Sequence, residues 1–264
     1  MAAALAGRKG PRSFLIDLAL STARMMVCSR NSRFDSHRGI TLNISYPDHP
    51  GKSPIASWLL YIFSRIGATI LFKTHMEGFE HIPKTGPVLL LTKHQRKSDT
   101  PVGFAALHSQ VRKDIWCVMK DAMAAPYFFG FFLKTGGLPV NRKNPEQTRK
   151  YLVLGRKMLH DGKIVVIFPE QTVMRDKMGK GRTPGFRFLV GRPEQPVQVC
   201  VMGIRYKKAF PRTHVFLRVG KGAPYDAHSD PEHFLHDRMH EMAALSLLTY
   251  PYQRPDARLS LIHI

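Results

Sequence analysis

One histidine and one aspartate stand five positions apart in the polar run TKHQRKSDTP, residues 92–101. On a single α-helix His94 and Asp99 would point about 140° apart, so they can meet only across a turn. In a turn between a strand and a helix, Asp99 can accept a hydrogen bond from one imidazole nitrogen and leave the other nitrogen as a base. The alternative is that Asp99 or a neighbour caps the following helix and that His94 is an ordinary loop residue.

A second polar cluster follows the apolar run Ile164–Phe168. Glu170 and Thr172 come directly after this predicted strand, where they can bind a substrate hydroxyl or orient a phosphate-binding loop. Basic side chains and glycines come next, namely Arg175, Lys177, Gly179, Lys180, Gly181, Arg182 and Gly185. Such a composition suits an anion-binding loop, and a solvated basic turn is the alternative.

Further candidates for substrate contact lie between these two clusters. Arg142 ends a segment that begins with two glycines at Gly136, and its guanidinium can hold a phosphate through two hydrogen bonds. A simple surface arginine is the alternative. Lys120 follows another predicted strand and is a further substrate-binding candidate. Residues 126–133 contain four phenylalanines, which suit either contact with an acyl chain or membrane, or a place in the core.

These side chains need a scaffold that brings the ends of strands together. Apolar runs predict strands at Val88–Thr92, Asp114–Met119, Leu138–Asn141, Ile164–Phe168, Val197–Tyr206 and Val215–Val219. Helical patterns begin at Thr100 and span Pro145–His160. Strands separated by helices predict an α/β fold with a mostly parallel central sheet flanked by helices. In such sheets, chemistry collects at the carboxyl ends of the strands, where both polar clusters lie.

An apolar segment, Ile55–Phe72, precedes this pattern. A spanning helix needs about 20 apolar residues with few charges, and this segment contains Arg65. Its more polar positions share one helical face, namely Ser57, Tyr61, Ser64, Arg65, Ala68 and Thr69. The pattern favours an amphipathic helix associated with a membrane surface. The alternative is a helix packed on the protein's own core.

The charge balance restricts the partners. The chain has 264 residues with 40 Lys+Arg against 19 Asp+Glu, a formal net charge of +21. This excess predicts nucleic acid, an anionic membrane or phosphorylated substrates as partners. The charge is spread without a basic tail, and no zinc-finger, RRM or KH signature is present, which disfavours nucleic acid. Cys28, Cys117 and Cys200 are far apart, which indicates free thiols in a reducing compartment.

Taken in order, these pieces resemble the lysophospholipid acyltransferase family, which includes the 1-acylglycerol-3-phosphate acyltransferases. The family's His-x4-Asp block matches residues 94–99, its glycine-rich block matches residues 136–142, its Phe-Pro-Glu-Gly-Thr block resembles residues 168–172, and its apolar fourth block matches residues 197–204. The match covers roughly residues 76–206. The chain departs from the family at Gln171, which replaces the usual Gly, at Val173, where Arg often follows, and at Cys200, where Pro is usual.

The resemblance implies transfer of a fatty acyl group from acyl-CoA or acyl-carrier protein to the hydroxyl of a lysophospholipid. The expected acceptor is 1-acylglycerol 3-phosphate, and the product is phosphatidic acid. His94 would be the general base and Asp99 would orient it. The residues expected to bind the substrates are Arg142, Glu170, Thr172, Arg175 and Lys120, with Arg175 as the candidate to replace the arginine missing at Val173.

The expected enzyme needs no cofactor and no metal, because the donor is itself a substrate and the histidines show no convincing ligand spacing. It would be membrane-associated, on the cytoplasmic face, with an anionic membrane surface and no nucleic acid as partner. Three alternatives remain. In the first, the acceptor is glycerol 3-phosphate, another lysophospholipid or an amino-acid-derived lipid. In the second, the protein binds nucleic acid or anionic lipid without catalysis. In the third, it is an inactive member of the family.

The expected organisation has four parts. Residues 1–54 form an N-terminal segment that is either disordered or lies upstream of the true start. Residues 55–75 form the membrane-associated helix, and residues 76–258 form the acyltransferase domain. The last six residues, Leu259–Ile264, match a translated sequencing adapter, so we expect them to be an artefact.

Overall fold

Strands and helices alternate along the part of the chain that the computed structural model describes, residues 49–141 and 143–254. Within it the helices are α1 Pro54–Leu71, α2 Asp99–Gln110, α3 Phe131–Lys134, α4 Pro145–His160, α5 Thr183–Val190 and α6 Pro231–Leu245. The strands are β1 Phe72–Glu77, β2 Val88–Thr92, β3 Ile115–Lys120, β4 Gly137–Val140, β5 Ile164–Ile167, β6 Val197–Lys207, β7 Thr213–Val219 and β8 Ala223–Tyr225. The expectations for residues 1–48 and 255–264, and for the placement of Arg142, lie outside the described residues.

The described strands form one sheet in the order β1-β7-β6-β2-β5-β3-β4, with β8 paired to β6. The pairs β1·β7, β2·β6, β2·β5, β3·β5 and β3·β4 are parallel. Only the pairs β6·β7 and β6·β8 are antiparallel among the described strands. The predicted α/β fold with a mostly parallel central sheet is therefore confirmed.

Successive residues of the central strands supply two separate hydrophobic cores, because side chains along a strand alternate between faces. On β2, Val88 and Leu90 face a core that α2 completes, whereas Leu89 and Leu91 face a core that α4, α5 and α6 complete. The helix α1 packs beside α2 on the first of these faces. The sheet is thus buried on both sides, which explains the continuous apolar runs of β2 and β5.

The first strand corrects the expected boundary of the N-terminal helix. The helix was expected to run from residue 55 to residue 75, yet α1 ends at Leu71 and β1 begins at Phe72. The reason is the partner strand: every residue of Phe72–Glu77 pairs with β7, from Phe72 with Thr213 to Glu77 with Arg218. Backbone hydrogen bonds to a strand far along the chain outweigh continuation of the local helix.

The helix α1 turns much of its polar stripe inward. Ser57 and Ser64 are each only 3% exposed, and the ring of Tyr61 stacks on His108 of α2 with centroids 4.5 Å apart. Large apolar side chains lie on the outside, with Trp58 54% and Ile70 62% exposed. Among the described helices, α1 alone is long and apolar enough to cross a membrane by length and composition. A helix that packs on a soluble protein's core shows the opposite arrangement.

Candidate active site

The loop between β2 and α2 brings His94 and Asp99 into contact. β2 ends at Thr92, α2 begins at Asp99, and Nδ1 of His94 lies 3.1 Å from Oδ2 of Asp99. The Asp99 side chain is completely buried, whereas the His94 side chain is 20% exposed. The ring of His94 also packs against Phe168, with centroids 4.5 Å apart. With the Nδ1 proton donated to Asp99, the lone pair is on Nε2, the arrangement that a general base requires.

Both oxygens of Asp99 are held by the protein. Oδ2 also accepts from the backbone N–H groups of Gln95, at 2.5 Å, and Arg96, at 2.7 Å. Oδ1 accepts from the hydroxyl of Tyr206 at 2.7 Å. Asp99 is the first residue of α2, where the helix dipole favours a negative charge. These contacts fix the carboxylate, and the carboxylate in turn fixes the plane of the His94 ring.

Tyr206 is a site residue that the sequence did not indicate. It lies near the end of β6, and its hydroxyl is within 3.0 Å of the Ser98 hydroxyl as well as bonded to Asp99. The guanidinium of Arg96 lies 4.3 Å above its ring. Burial, and then the charge of Asp99, raise the pKa of Tyr206, so that its hydroxyl stays a neutral donor. In the sequence Tyr206 stands in the short basic run Arg205–Lys208, which gives no sign of this contact.

A buried ion pair lies directly behind His94. Nζ of Lys93 is 3.0 Å from Oε1 and 2.8 Å from Oε2 of Glu170, and neither side chain is exposed. The same ammonium donates to the carbonyl of Met174 at 2.7 Å. Burial lowers the pKa of Lys93 and outweighs the attraction of Glu170, which raises it. No sequence pattern predicts a buried lysine here, because lysine after a strand is normally a surface residue.

This ion pair also holds the backbone of His94. The amide N–H of His94 donates to Oε2 of Glu170 at 3.2 Å, and its carbonyl accepts from the amide of Met174 at 2.7 Å. Oε1 of Glu170 accepts from the amide of Gly179 at 2.6 Å. The loop after β5 is therefore fastened to the loop after β2 through one carboxylate. The two polar clusters predicted from the sequence form one site.

The structure changes the expectation for Glu170. Direct contact with an acceptor was expected, but the carboxylate is buried, with Oε1 accepting from Lys93 and Gly179 and Oε2 accepting from Lys93 and His94. A substrate hydroxyl could reach Glu170 only by displacing these donors, which would leave buried polar groups unpaired. The geometry therefore favours a positioning role for Glu170, through the backbone of His94, over direct contact with the acceptor.

Gln171 continues the loop with a left-handed backbone, φ 55°. Its amide donates to the carbonyl of Phe168 at 2.9 Å and closes a tight turn that contains Glu170. Glycine adopts this conformation without steric cost, which explains why the related family block usually has Gly at this position. Gln171 therefore keeps the turn that the glycine would make, at the cost of some backbone strain.

The other predicted binding residues lie on the same edge of the sheet. Thr172 and Arg175 are exposed in the loop after β5, and Lys120 is exposed at the carboxyl end of β3, which neighbours β5. Arg142 lies outside the described residues. The structure thus brings His94 into direct contact with both Asp99 and Glu170. Thr172, Arg175 and Lys120 lie on the exposed edge, and no contact of theirs with His94, Asp99 or Glu170 is described.

Comparison with known proteins identifies the family. A family model described as Acyltransferase matches residues 73–203, which run from β1 into β6 and include both loops of the site. Residues 73–203 belong to the acyltransferase family. The prediction of the lysophospholipid acyltransferase family is confirmed, and so is acyltransferase as the general activity.

A solved structure supports the fold of this acyltransferase. The chain is similar to the 1-acyl-sn-glycerophosphate (LPA) acyltransferase PlsC from Thermotoga maritima, with a TM-score of 0.54 and 18% sequence identity. The match covers 75% of this chain and 81% of that chain. A search of curated proteins by sequence found no match.

The described cysteines of the acyltransferase are poorly suited to act as nucleophiles. Burial raises the pKa of the Cys117 thiol and of the Cys200 thiol to about 12 in each case. The reactive form of cysteine is the thiolate, which is scarce at neutral pH when the pKa is this high. The geometry favours a base-assisted transfer in which the acceptor hydroxyl is itself the nucleophile.

Proposed function

We propose that this acyltransferase moves a fatty acyl group from acyl-CoA or acyl-carrier protein to the hydroxyl of 1-acylglycerol 3-phosphate, giving phosphatidic acid. The observation that carries the proposal is the His94–Asp99 pair, with its buried carboxylate and partly exposed imidazole at the carboxyl edge of the sheet. The family match and the name of the Thermotoga protein support acceptors of this class.

In the proposed mechanism, Nε2 of His94 removes the proton from the acceptor hydroxyl as its oxygen attacks the thioester carbonyl carbon. Asp99 stabilises the imidazolium that forms. When the tetrahedral intermediate collapses, the carbon–sulfur bond breaks and the sulfur takes the proton from His94. The products are the ester and the free thiol, and no acyl-enzyme forms, so the reaction needs no cofactor or metal.

The proposed head-group contacts come from the exposed edge. Arg175, Lys120 and Arg142 supply positive charge for a phosphate, and Thr172 supplies a hydroxyl. Arg175 would take the place of the arginine that the family often has at the position of Val173. Glu170 acts indirectly, by holding the backbone of His94.

The proposed location is an anionic membrane surface on the cytoplasmic side. The apolar outer face of α1 supports contact with the bilayer, and the high positive charge supports attraction to anionic lipids. Free Cys117 and Cys200 fit a reducing compartment. A membrane seat would bring the enzyme to its lipid acceptor.

The direct experiment measures transfer from labelled acyl-CoA and acyl-carrier protein to a panel of lysophospholipids, glycerol 3-phosphate and amino-acid-derived lipids. We expect His94→Ala to lower the rate by roughly 100-fold or more, as for loss of a general base. His160→Ala is the matched control, because His160 is exposed at the end of α4. Activity that survives His94→Ala would rule out the proposed base.

A second variant tests the acceptor site. Arg142→Ala should raise the KM for phosphate-bearing acceptors and leave uncharged acceptors nearly unaffected, because the guanidinium is proposed to bind a phosphate. An equal loss on both kinds of acceptor would argue against that role. The acceptor turned over with the highest kcat/KM would decide between 1-acylglycerol 3-phosphate and the alternatives.

A further inference from the structure

The loop that joins β6 and β7 presents a phenylalanine almost entirely to the surroundings. Phe210 is 99% exposed, the highest value among the large apolar residues described. The loop residues 208–212 are all exposed, and the strands on either side are paired up to Lys207 and His214. The Phe210 side chain therefore projects from the tip of a β-hairpin, and packing within the fold does not explain an apolar residue at this position.

The hairpin lies against the C-terminal end of α1. Nη1 of Arg212 donates to the carbonyl of Thr69 at 2.6 Å, and β1, which continues directly from α1, pairs with β7. The next helix residue, Ile70, is 62% exposed. The tip of the hairpin and the outer apolar face of α1 are thus neighbouring parts of the surface.

The charge around Phe210 has one sign. Lys207, Lys208 and Arg212 flank it, and the sequence contains no Asp or Glu from residue 195 to residue 225. An aromatic side chain surrounded by basic ones is typical of segments that bind at the boundary between anionic head groups and acyl chains. A patch selected only for solubility in water would not combine an exposed phenylalanine with this charge.

We propose that the hairpin loop 208–212 is a second membrane contact, in which Phe210 enters an anionic bilayer and Lys207, Lys208 and Arg212 bind lipid phosphates. This inference deepens the proposed function and rests on the proposed association of the enzyme with a membrane surface. One amphipathic helix on a membrane still lets the protein rock about the helix axis. A second contact at the end of α1 fixes that rotation.

The position of the hairpin on β6 connects this contact with the site. Phe210 follows Tyr206 by four residues, a reach of at most about 13 Å in extended chain. Tyr206 is bonded to Asp99, the partner of His94. Insertion of the tip therefore holds the carboxyl edge of the sheet close to the lipid surface, where a lysophospholipid hydroxyl is found.

The test is co-sedimentation of the full chain with vesicles of phosphatidylcholine alone or mixed with phosphatidylglycerol. Phe210→Ala should weaken partition into both kinds of vesicle roughly tenfold, through loss of the apolar side chain. Lys208→Gln should weaken partition about fivefold on the anionic vesicles only. The control is Val153→Ala, which removes a 52% exposed apolar side chain from α4 on the opposite face of the sheet and should change nothing.

The proposal is overturned if Phe210→Ala binds vesicles as well as wild type does, or if Val153→Ala weakens binding as much as Phe210→Ala does. It is also overturned if wild type ignores vesicles and instead forms a dimer that Phe210→Ala abolishes, because the tip is then a protein contact. The proposed function can fail separately. If wild type binds vesicles through Phe210 but transfers no acyl group, the membrane contact stands and the proposed reaction is wrong. His94→Ala should bind vesicles as wild type does.

Discussion

Replacing Lys93 by methionine tests whether the buried ion pair sets the position of the proposed base. The ammonium of Lys93 donates to both oxygens of Glu170 and to the carbonyl of Met174, all within 3.0 Å. Methionine has a similar length, so the cavity left behind is small. The change therefore removes the charge and its hydrogen bonds while largely keeping the packing.

The expected loss of stability follows from the buried Glu170 carboxylate that the change leaves without its cation. Without Lys93, the Glu170 carboxylate is completely buried with only the amides of His94 and Gly179 as described donors. Removing one partner of a buried ion pair costs about 3–5 kcal/mol. Such a loss is a large part of the roughly 5–15 kcal/mol that stabilises a typical domain. The double variant Lys93→Met/Glu170→Gln should lose less than the sum of the two single changes, because no charge is left unpaired.

The same change should reduce activity through the backbone of His94. Glu170 holds the amide of His94, and Met174 holds its carbonyl, so both anchors depend on Lys93. A small displacement of a catalytic group can cost up to about 100-fold in rate. We expect kcat to fall roughly 10- to 100-fold, with a smaller change in KM for the thioester, because Lys93 is buried away from the substrates.

The measurements are urea unfolding, followed by circular dichroism, and steady-state acyl transfer. The matched control is Lys157→Met, since Lys157 forms an ion pair with Asp161 at 2.5 Å but its side chain is 64% exposed. An exposed pair of this kind contributes about 0.3–0.5 kcal/mol. If Lys93→Met costs no more than Lys157→Met, or leaves kcat at the wild-type value, the buried pair does not hold the base in place.

Two further changes test neighbouring features, and a third tests Lys52, whose ammonium donates to the carbonyl of Ile115 at the start of β3. Tyr206→Phe removes a donor to buried Asp99, so it should cost about 1–3 kcal/mol in urea unfolding and lower kcat more than it changes KM; an unchanged kcat argues against positioning. Gln171→Gly relieves a left-handed backbone and should add up to about 1 kcal/mol; a lower Tm would show that the Gln171 side chain matters more. Burial lowers the pKa of Lys52 from 10.5 to about 8. Between pH 8 and pH 10.5 the unfolded chain therefore binds more protons than the folded chain, and the free energy of unfolding of wild type should rise with pH relative to that of Lys52→Met. Parallel pH profiles for the two proteins would contradict this.

Local signals predicted much of the fold. The helix Pro145–His160 was predicted with the bounds it has, from its helical pattern and from Asp161-Gly162 at its end. The structure adds that the Asn144 side chain caps its start, with Pro145 in the first position. The strands β2 and β5 were predicted from apolar runs that only a doubly covered sheet produces. By contrast, β1 has no such signal: its sequence FKTHME exists as a strand because it pairs with β7, about 140 residues away.

The site residues also divide into those that local sequence signals predicted and those that only distant contacts explain. The spacing of His94 and Asp99 allowed a contact within one turn, and the family resemblance turned that possibility into a prediction. Tyr206 and Lys93 could not be assigned, because their partners lie 107 and 77 positions away and their residue types suggested a surface. Burial changes the chemistry of both: it makes Lys93 part of a fixed ion pair and Tyr206 a permanent hydrogen-bond donor.

The exposed face of α1 favours one of two interpretations that periodicity alone could not separate. An interfacial helix and a core helix share the same pattern and differ only in which stripe meets the protein. Here Ser57 and Ser64 meet it, and Trp58, Ile66 and Ile70 do not. Each large apolar side chain held in water forgoes up to about 1.5–3 kcal/mol of burial, so the whole face forgoes several kcal/mol. We propose that a bilayer recovers that free energy, which nucleic acid would not, and that the net charge of +21 attracts the protein to anionic lipid.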